Sequence, residues 1–444
     1  MGGGTSLWAS PEWKNDPKEI FNRKLLLLGV TIAMAGCSYG FDQGNIGGVM
    51  TFVSFRKAMG FDDLQPSEVD QRGGSAGALL AAPCADFLGR KRSVTIMSGL
   101  FLIGCAMQEV PHLNVLYAGR LLAGIAIGAT SMLAPQYLAE NSPKTIRGSL
   151  TTSYNLMIVL ALCLAFWVNY GVSLWPEQNP NDNTSWQLAL GIQLIPGFFL
   201  FCLIWFVVET PRALISKGKK DRGLQNLCKL RGLPADHPYV HQEYMEINAQ
   251  AEYEQSQYKG YNYIAVFKDI GTNASNRRRF FLAVMFFIFH KGTVTDSLNY
   301  FAPEIFAMIG VPRGSSSLLT VGIYGLVKLV ATVIYVTLIV DRVGRRLPLM
   351  IGATIQACAM LYIGLFIRFA SPEAGGGTSA GGYVGIIWIY LYAVGWSFGH
   401  CVAPNCKPRR LIEGLQIFYM NSCIMKRSGV KLEAVSTSIK AELE

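Results

Sequence analysis

The chain has 444 residues, 51% of them hydrophobic and 15% charged, with a mean hydropathy of +0.30; soluble globular chains of this length seldom combine these values. The formal net charge of +10 could point to nucleic acid. Repeated apolar stretches of roughly 20 residues instead match a bilayer core about 30 Å thick, and put most of the protein in lipid.

The first stretch, residues 25–49, follows some twenty mostly polar residues and is full length, so it reads as a retained span and not as a cleavable signal. Residues 76–88 make only a half span, because their apolar part would rise about 14 Å. Further spans are predicted at 93–110, 115–138, 150–172, 186–208, 281–309, 318–340, 347–369 and 383–404. Residues 400–444 are polar and charged, and 411–425 is too short and too interrupted to cross. The longest polar stretch, 210–279, holds helix-forming pieces at 222–230 and 242–257, and reads either as a helical domain or as a plain solvated linker.

With the N-terminus in the cytoplasm and the half span counted, Lys14, Lys18, Arg23, Lys24, Arg90-Lys91-Arg92, Lys144, Arg147, the basic segment after Val208, Arg342, Arg345 and Arg346 all lie inside. The loops around His112, Asp182 and Gly375 carry almost no Lys or Arg and lie outside. This is the positive-inside pattern, so the charge orients a membrane protein and nucleic acid is not an expected partner. Asn183-Thr-Ser185 is a glycosylation sequon placed outside, whereas Asn273-Ala-Ser275 is placed inside and should be silent. The ten cysteines lack paired spacing, so no disulfide framework or zinc site follows. No nucleophile clusters with a base, which argues against an enzyme.

The sequence echoes itself: Asp86-Phe-Leu-Gly-Arg-Lys-Arg92 ends the second span of the first group, and Asp341-Arg-Val-Gly-Arg-Arg346 the second span of the later one. Transporters built from two related halves leave internal symmetry of this kind. Together with Gly40-Phe-Asp42-Gln-Gly-Asn-Ile-Gly-Gly48, Gly119-Arg120-Leu-Leu-Ala-Gly-Ile, Glu140-Asn-Ser-Pro-Lys-Thr-Ile-Arg147-Gly148 and Glu209-Thr-Pro-Arg212, these loops give six motifs in order. In them the chain resembles the sugar porter family of the major facilitator superfamily, in its fungal sugar/quinate form, over about residues 20–400.

The resemblance implies an all-α integral membrane protein with the major facilitator fold, two helical bundles with the C-terminal one incomplete, about ten helices of twelve. Its parts would be a cytoplasmic segment (1–24), an N-terminal bundle (25–209, helix two shortened), a cytoplasmic helical linker (210–279), a partial C-terminal bundle (280–404) and an atypical polar tail (405–444). The expected activity is plasma-membrane carriage of sugars, polyols or related compounds such as quinate by alternating access, with no cofactor and no metal. The shortened second helix and the polar tail fit a truncated or mis-spliced product, which leaves a non-transporting or sensor-like relative as the alternative.

Within apolar spans, an ionised carboxylate costs several kcal/mol unless paired or hydrated. Asp42 therefore needs a partner, and Arg120 of the fourth span is the natural one. Proton-coupled relatives carry an aspartate and an arginine at these matching positions, which implies proton symport; a permanent ion pair is the other reading. The resemblance also makes Asp86, Arg90, Glu140, Arg147, Glu209, Arg212, Asp341 and Arg345 a cytoplasmic gating network, the plainer reading being charge that only sets topology. Substrate-binding positions match Asn155, His290, Lys291, Asp296 and Asn299. Neutral amides suit hydroxyl-rich ligands because each donates and accepts. His290 and Lys291 in place of two glutamines could favour an anionic ligand or damage the site.

Overall fold

The structure, a computed structural model, describes residues 16–60, 89–175, 183–257, 295–312, 314–339, 346–370 and 378–399, with scattered positions between 271 and 288. The half span at 76–88, the tail beyond 399 and the expected absence of two final helices lie outside the described residues.

All regular structure among the described residues is helical. The first half runs through α1 (Arg23–Val49), α2 (Val53–Met59), α3 (Arg90–Gln108), α4 (Leu113–Asn141), α5 (Arg147–Ser173), α6 (Thr184–Gly191) and α7 (Leu194–Leu203). The linker contributes α8 (Pro211–Ser216), α9 (Lys220–Arg231) and α10 (Pro238–Gln257). The second half supplies α11 (Thr295–Tyr300), α12 (Ala302–Met308), α13 (Ser315–Ile334), α14 (Arg346–Ala370) and α15 (Ala380–Gly399). Seven helical stretches among the described residues are long and apolar enough to cross a membrane, and they coincide with the predicted first, fourth, fifth, sixth, eighth, ninth and tenth spans.

Proline explains where predicted spans break. The sixth is interrupted at Ile192 and Gln193, between α6 and α7, because Pro196 has no N–H for the Ile192 carbonyl. The seventh breaks at Phe301, where Pro303 starts α12 in the first turn.

Glycine lets helices meet backbone to backbone. A Cβ on Gly36 would lie 2.9 Å from the Tyr154 carbonyl oxygen, one on Gly40 2.1 Å from that of Ile158, and one on Gly44 3.0 Å from that of Leu162. This seam joins α1 to α5, as small residues at four-residue spacing do in membranes. One turn on, a Cβ at Gly47 would come 2.2 Å from the Tyr300 carbonyl oxygen, so α1 also touches α11 of the second half.

Leu28 and Ile32 of α1 pack with Val94, Leu133, Tyr137, Tyr154 and Leu200 in one core. Leu298, Phe306, Val321, Tyr324, Ile363, Ile389 and Tyr392 form another, which reaches Leu162 and Phe166 of α5. The outward faces stay apolar: Phe198, Phe199, Phe206, Leu361 and Phe369 are all exposed, as a bilayer rather than water would require.

In the linker, Ile20 packs with Leu227, Leu233 and Val240. Asn22 serves two elements, its Oδ1 accepting from the Leu25 N–H to cap α1 and its Nδ2 donating to the Leu230 carbonyl, each at 2.9 Å.

Candidate functional site

Asp42 and Arg120 meet. Arg120 Nη1 donates to Asp42 Oδ1 at 3.0 Å, with side chains 5% and 13% exposed. The carboxylate comes from the last third of α1 and the guanidinium from the first half of α4, so each answers the desolvation of the other.

A second polar cluster lies at the end of the bundle where the linker docks. Gly89 holds φ +100° and begins α3; a Cβ there would sit 2.7 Å from Glu209 Oε2. Glu209 Oε1 accepts from the Lys91 N–H at 3.1 Å and from the Thr210 N–H at 3.2 Å. A carboxylate at a helix N-terminus satisfies an otherwise open donor and suits the helix dipole. Arg90 Nε donates to Glu140 Oε1 at 3.3 Å, with side chains 8% and 1% exposed. Arg147 donates to the Ser142 carbonyl at 3.3 Å. Burial holds its pKa below the usual arginine value, while Glu243 pulls the other way. Arg212 is close enough to act on Arg147 electrostatically. Arg90, Glu140, Glu209, Arg147 and Arg212 are thus brought to one end of the first bundle; Asp86, Asp341 and Arg345 lie outside the described residues.

In the second half, Asn299 of α11 is 2% exposed and its Oδ1 accepts from Tyr324 Oη at 3.3 Å and Lys328 Nζ at 3.2 Å. Thr295 Oγ1 and Tyr392 Oη share a hydrogen bond of 2.8 Å between α11 and α15. Asp296 lies on α11, its side chain outside the described set, as are His290 and Lys291. Asn155 sits half-buried on α5 beside Tyr154.

Register along α5 sets the depth of these groups. Helix α1 runs parallel to it, Gly40 facing Ile158 and Ala161, and Gly44 facing Leu162 and Ala165. Helix α13 runs antiparallel, Gly325 facing Phe166 and Tyr335 packing with Val159. Asp42, between Gly40 and Gly44, and Lys328, between Gly325 and Tyr335, therefore lie in one layer, level with the middle of the span Leu150–Ser173. Asn155 is one turn beyond Val159, about 6 Å along the axis.

Lys328 was missed by the sequence reading, although it is the single charged residue of 318–340 and gave the same signal as Asp42. It is 1% exposed. The Arg231–Glu243 pair of the linker was also missed, because no apolar run flags it.

The family profile for "Sugar (and other) transporter" matches residues 28–406. The chain belongs to the sugar transporter family. Its relatives include a "Probable quinate permease" of Aspergillus fumigatus, 34% identical over 405 residues, covering 88% of this chain and 74% of that protein. The "Quinate permease" of Emericella nidulans is 32% identical over 401 residues, covering 87% and 74%. Sugar transporter folds already solved are similar over most of the chain. The xylose transporter XylE from E. coli, in a partially occluded inward open conformation, matches with a TM-score of 0.67 at 21% identity over 90% of this chain and 88% of its own. The proton:xylose symporter XylE bound to 6-bromo-6-deoxy-D-glucose gives 0.68 at 23%, over 86% and 81%. The fold is accordingly that of the major facilitator superfamily, the protein a multi-pass membrane carrier and not an enzyme.

Proposed function

We propose that the chain carries a sugar or a related cyclic polyol across the plasma membrane by alternating access, driven by proton symport through Asp42. The carrying observation is the Asp42–Arg120 ion pair, buried in the bundle of a sugar transporter family member at the depth where its two halves meet. The quinate permease names of the relatives favour a polyhydroxylated ring as cargo. The name of the structural neighbour, a proton:xylose symporter, agrees with coupling.

Protonation of Asp42 removes the charge that holds Arg120, so the pair changes its preferred geometry with the proton, and a two-state bundle can use that difference. Arg90–Glu140 and the Glu209 cap hold α3 and α4 together at the linker end, proposed as the cytoplasmic side from the basic loops. Partly dehydrated pairs of this kind bias two states by a few kcal/mol where one exposed pair does not. Asn155, Asn299, His290, Lys291 and Asp296 are proposed to face the cargo.

Uptake of labelled hexoses, pentoses, polyols and quinate into transporter-deficient yeast, with and without a proton gradient, tests the reading. Expected is gradient-dependent accumulation of at least one of them, and an Asp42→Asn variant that equilibrates its cargo without concentrating it. Absence of any uptake from correctly located protein overturns the carrier reading; gradient-driven accumulation that survives in Asp42→Asn overturns coupling.

A further inference from the structure

Glu109 caps the C-terminal end of α3, opposite the linker end and so on the side proposed as outer. Its backbone carbonyl accepts from Gln187 Nε2 of α6 at 2.9 Å. Its carboxyl group lies against the same helix, since a Cβ on Gly191 would sit 3.6 Å from Oε1. That oxygen is buried and has no hydrogen-bond partner among the described residues. An ionised carboxylate so placed is costly unless a proton or a cation reaches it.

A second open acceptor stands beside it. Gln108 Nε2 donates to the Gly104 carbonyl at 3.2 Å, so its Oε1 is the atom that accepts, from Gln193 Nε2 at 3.4 Å. This order of donors leaves Gln193 Oε1, at the break between α6 and α7, buried and with no partner among the described residues. Acceptors outnumber donors here, and a proton on Glu109 turns one acceptor into a donor.

The site is within reach of the coupling pair. Cys105 lies one turn inward on the same face of α3, and Asp42, Arg120 and Glu109 all act on it electrostatically. A Cβ on Gly119, next to Arg120, would meet the Gly104 carbonyl oxygen at 2.7 Å and Gln108 Cγ at 3.1 Å, so α3 and α4 touch at this level. The other titratable groups near this end are Tyr117 of α4 and the exposed His112 of the turn; residues 184–201, which pass over Glu109, carry none. Asp42 is the one carboxylate of α1.

We propose that Glu109 is the outer proton acceptor that loads Asp42. This rests on the symport reading above and adds a residue to it. Glu109 takes a proton from the outer water, forming an O–H bond at Oε1. That bond breaks as the proton passes inward to the Asp42 carboxylate, and Glu109 returns to its ionised form. Asp42, now neutral, releases Arg120. The proton thus enters between α3, α4 and α6 of the first bundle, apart from the cargo groups proposed on α5 and in the second half.

The test follows labelled quinate and labelled xylose in yeast expressing the full chain, using whichever the wild type concentrates. Glu109→Gln is expected to slow gradient-driven uptake at least fivefold at neutral external pH, with the KM for cargo within twofold. The deficit closes as the outside is acidified, because Asp42 then loads without help. Counterflow, which exchanges cargo without proton turnover, keeps its wild-type rate in Glu109→Gln, and Glu109→Asp keeps part of the driven uptake. A second readout needs no transport: infrared difference spectra of the purified protein between acid and neutral pH contain a carboxyl C=O band that is missing from Glu109→Gln. The inference is overturned if that band survives in Glu109→Gln, or if counterflow falls as far as driven uptake, as a purely structural role requires. Accumulation that follows a sodium gradient and not the proton gradient assigns the open acceptors to a metal cation and overturns it too. Driven uptake that stays at the wild-type rate in Glu109→Gln but is lost in Asp42→Asn overturns this inference alone. A wild type that concentrates neither probe overturns proton coupling and this inference with it.

Discussion

Arg90 and Glu140 meet with side chains 8% and 1% exposed, so neither charge has bulk water as an alternative partner. Removing Glu140 takes one ion-pair partner from the buried Arg90 guanidinium. Glu140→Ala is expected to destabilise the protein by about 3–5 kcal/mol, read as a lower melting temperature of purified protein; Glu140→Gln, which keeps a hydrogen-bond acceptor for Arg90, should lose distinctly less. Equal melting temperatures for wild type and Glu140→Ala would show that the pair contributes nothing to the folded state. Asp42 and Arg120 were legible from sequence because a charge inside an apolar run must have a counterpart. Lys328 met the same criterion. Its surroundings were not legible: Asn299 and Trp396 stand on other helices, and nothing in the local pattern says that one amide and one indole ring share its neighbourhood.

Among elements, the seam between α1 and α5 depends on missing side chains. At Gly40 a Cβ would meet the backbone oxygen of Ile158 at 2.1 Å, and backbone cannot rotate aside. Gly40→Val should therefore force α1 and α5 apart, at a cost of about 1–3 kcal/mol or more from overpacking, with a lowered melting temperature and reduced surface expression. Gly148→Ala is the control, since a Cβ there meets nothing within 4 Å; it should stay within about 0.5 kcal/mol of wild type. If both variants behave alike, the seam is not a close contact. Span positions were readable from apolar length, whereas the interruptions at Ile192 and Phe301 needed attention to Pro196 and Pro303. In the linker the helices begin earlier than the predicted pieces, at Lys220 and Pro238 in place of 222 and 242. Proline at the first helical position explains the second shift, because its fixed φ suits a helix start.

For the whole molecule, the linker is fastened to the first bundle by more than chain connectivity. Arg231, with its side chain 1% exposed, donates from Nε and Nη2 to both oxygens of Glu243 at 2.8 and 2.7 Å, and from Nη1 to the Asn141 carbonyl at 2.8 Å. Lys144 pairs with Glu246 of the linker, while Thr145 Oγ1 donates to Asp16 Oδ2 of the N-terminal segment at 2.5 Å. A bidentate, buried pair fixes orientation as well as distance. The side of the membrane on which this assembly stands is set by charge, and glycosylation reads it. Expression in a glycosylating host should give a glycosidase-sensitive mass shift that Asn183→Gln abolishes and Asn273→Gln leaves intact. The reverse pattern would invert the proposed orientation. Asn183 precedes α6 and accepts from Trp186 Nε1 at 3.1 Å.

Sequence alone determined that the chain crosses a membrane many times, where most spans lie, and that Asp42 and Arg120 belong together. These follow from the length an apolar run needs in lipid and from the cost of an unpaired charge there. Tertiary structure alone decided depth and company: that Asp42 and Lys328 share a layer, that Glu209 closes the N-terminus of α3, and that Arg231 ties the linker to Asn141. Such relations depend on the register between helices distant in sequence, which is fixed by backbone approaches such as Gly40 to Ile158 and Gly325 to Phe166. No periodicity within one helix carries that information.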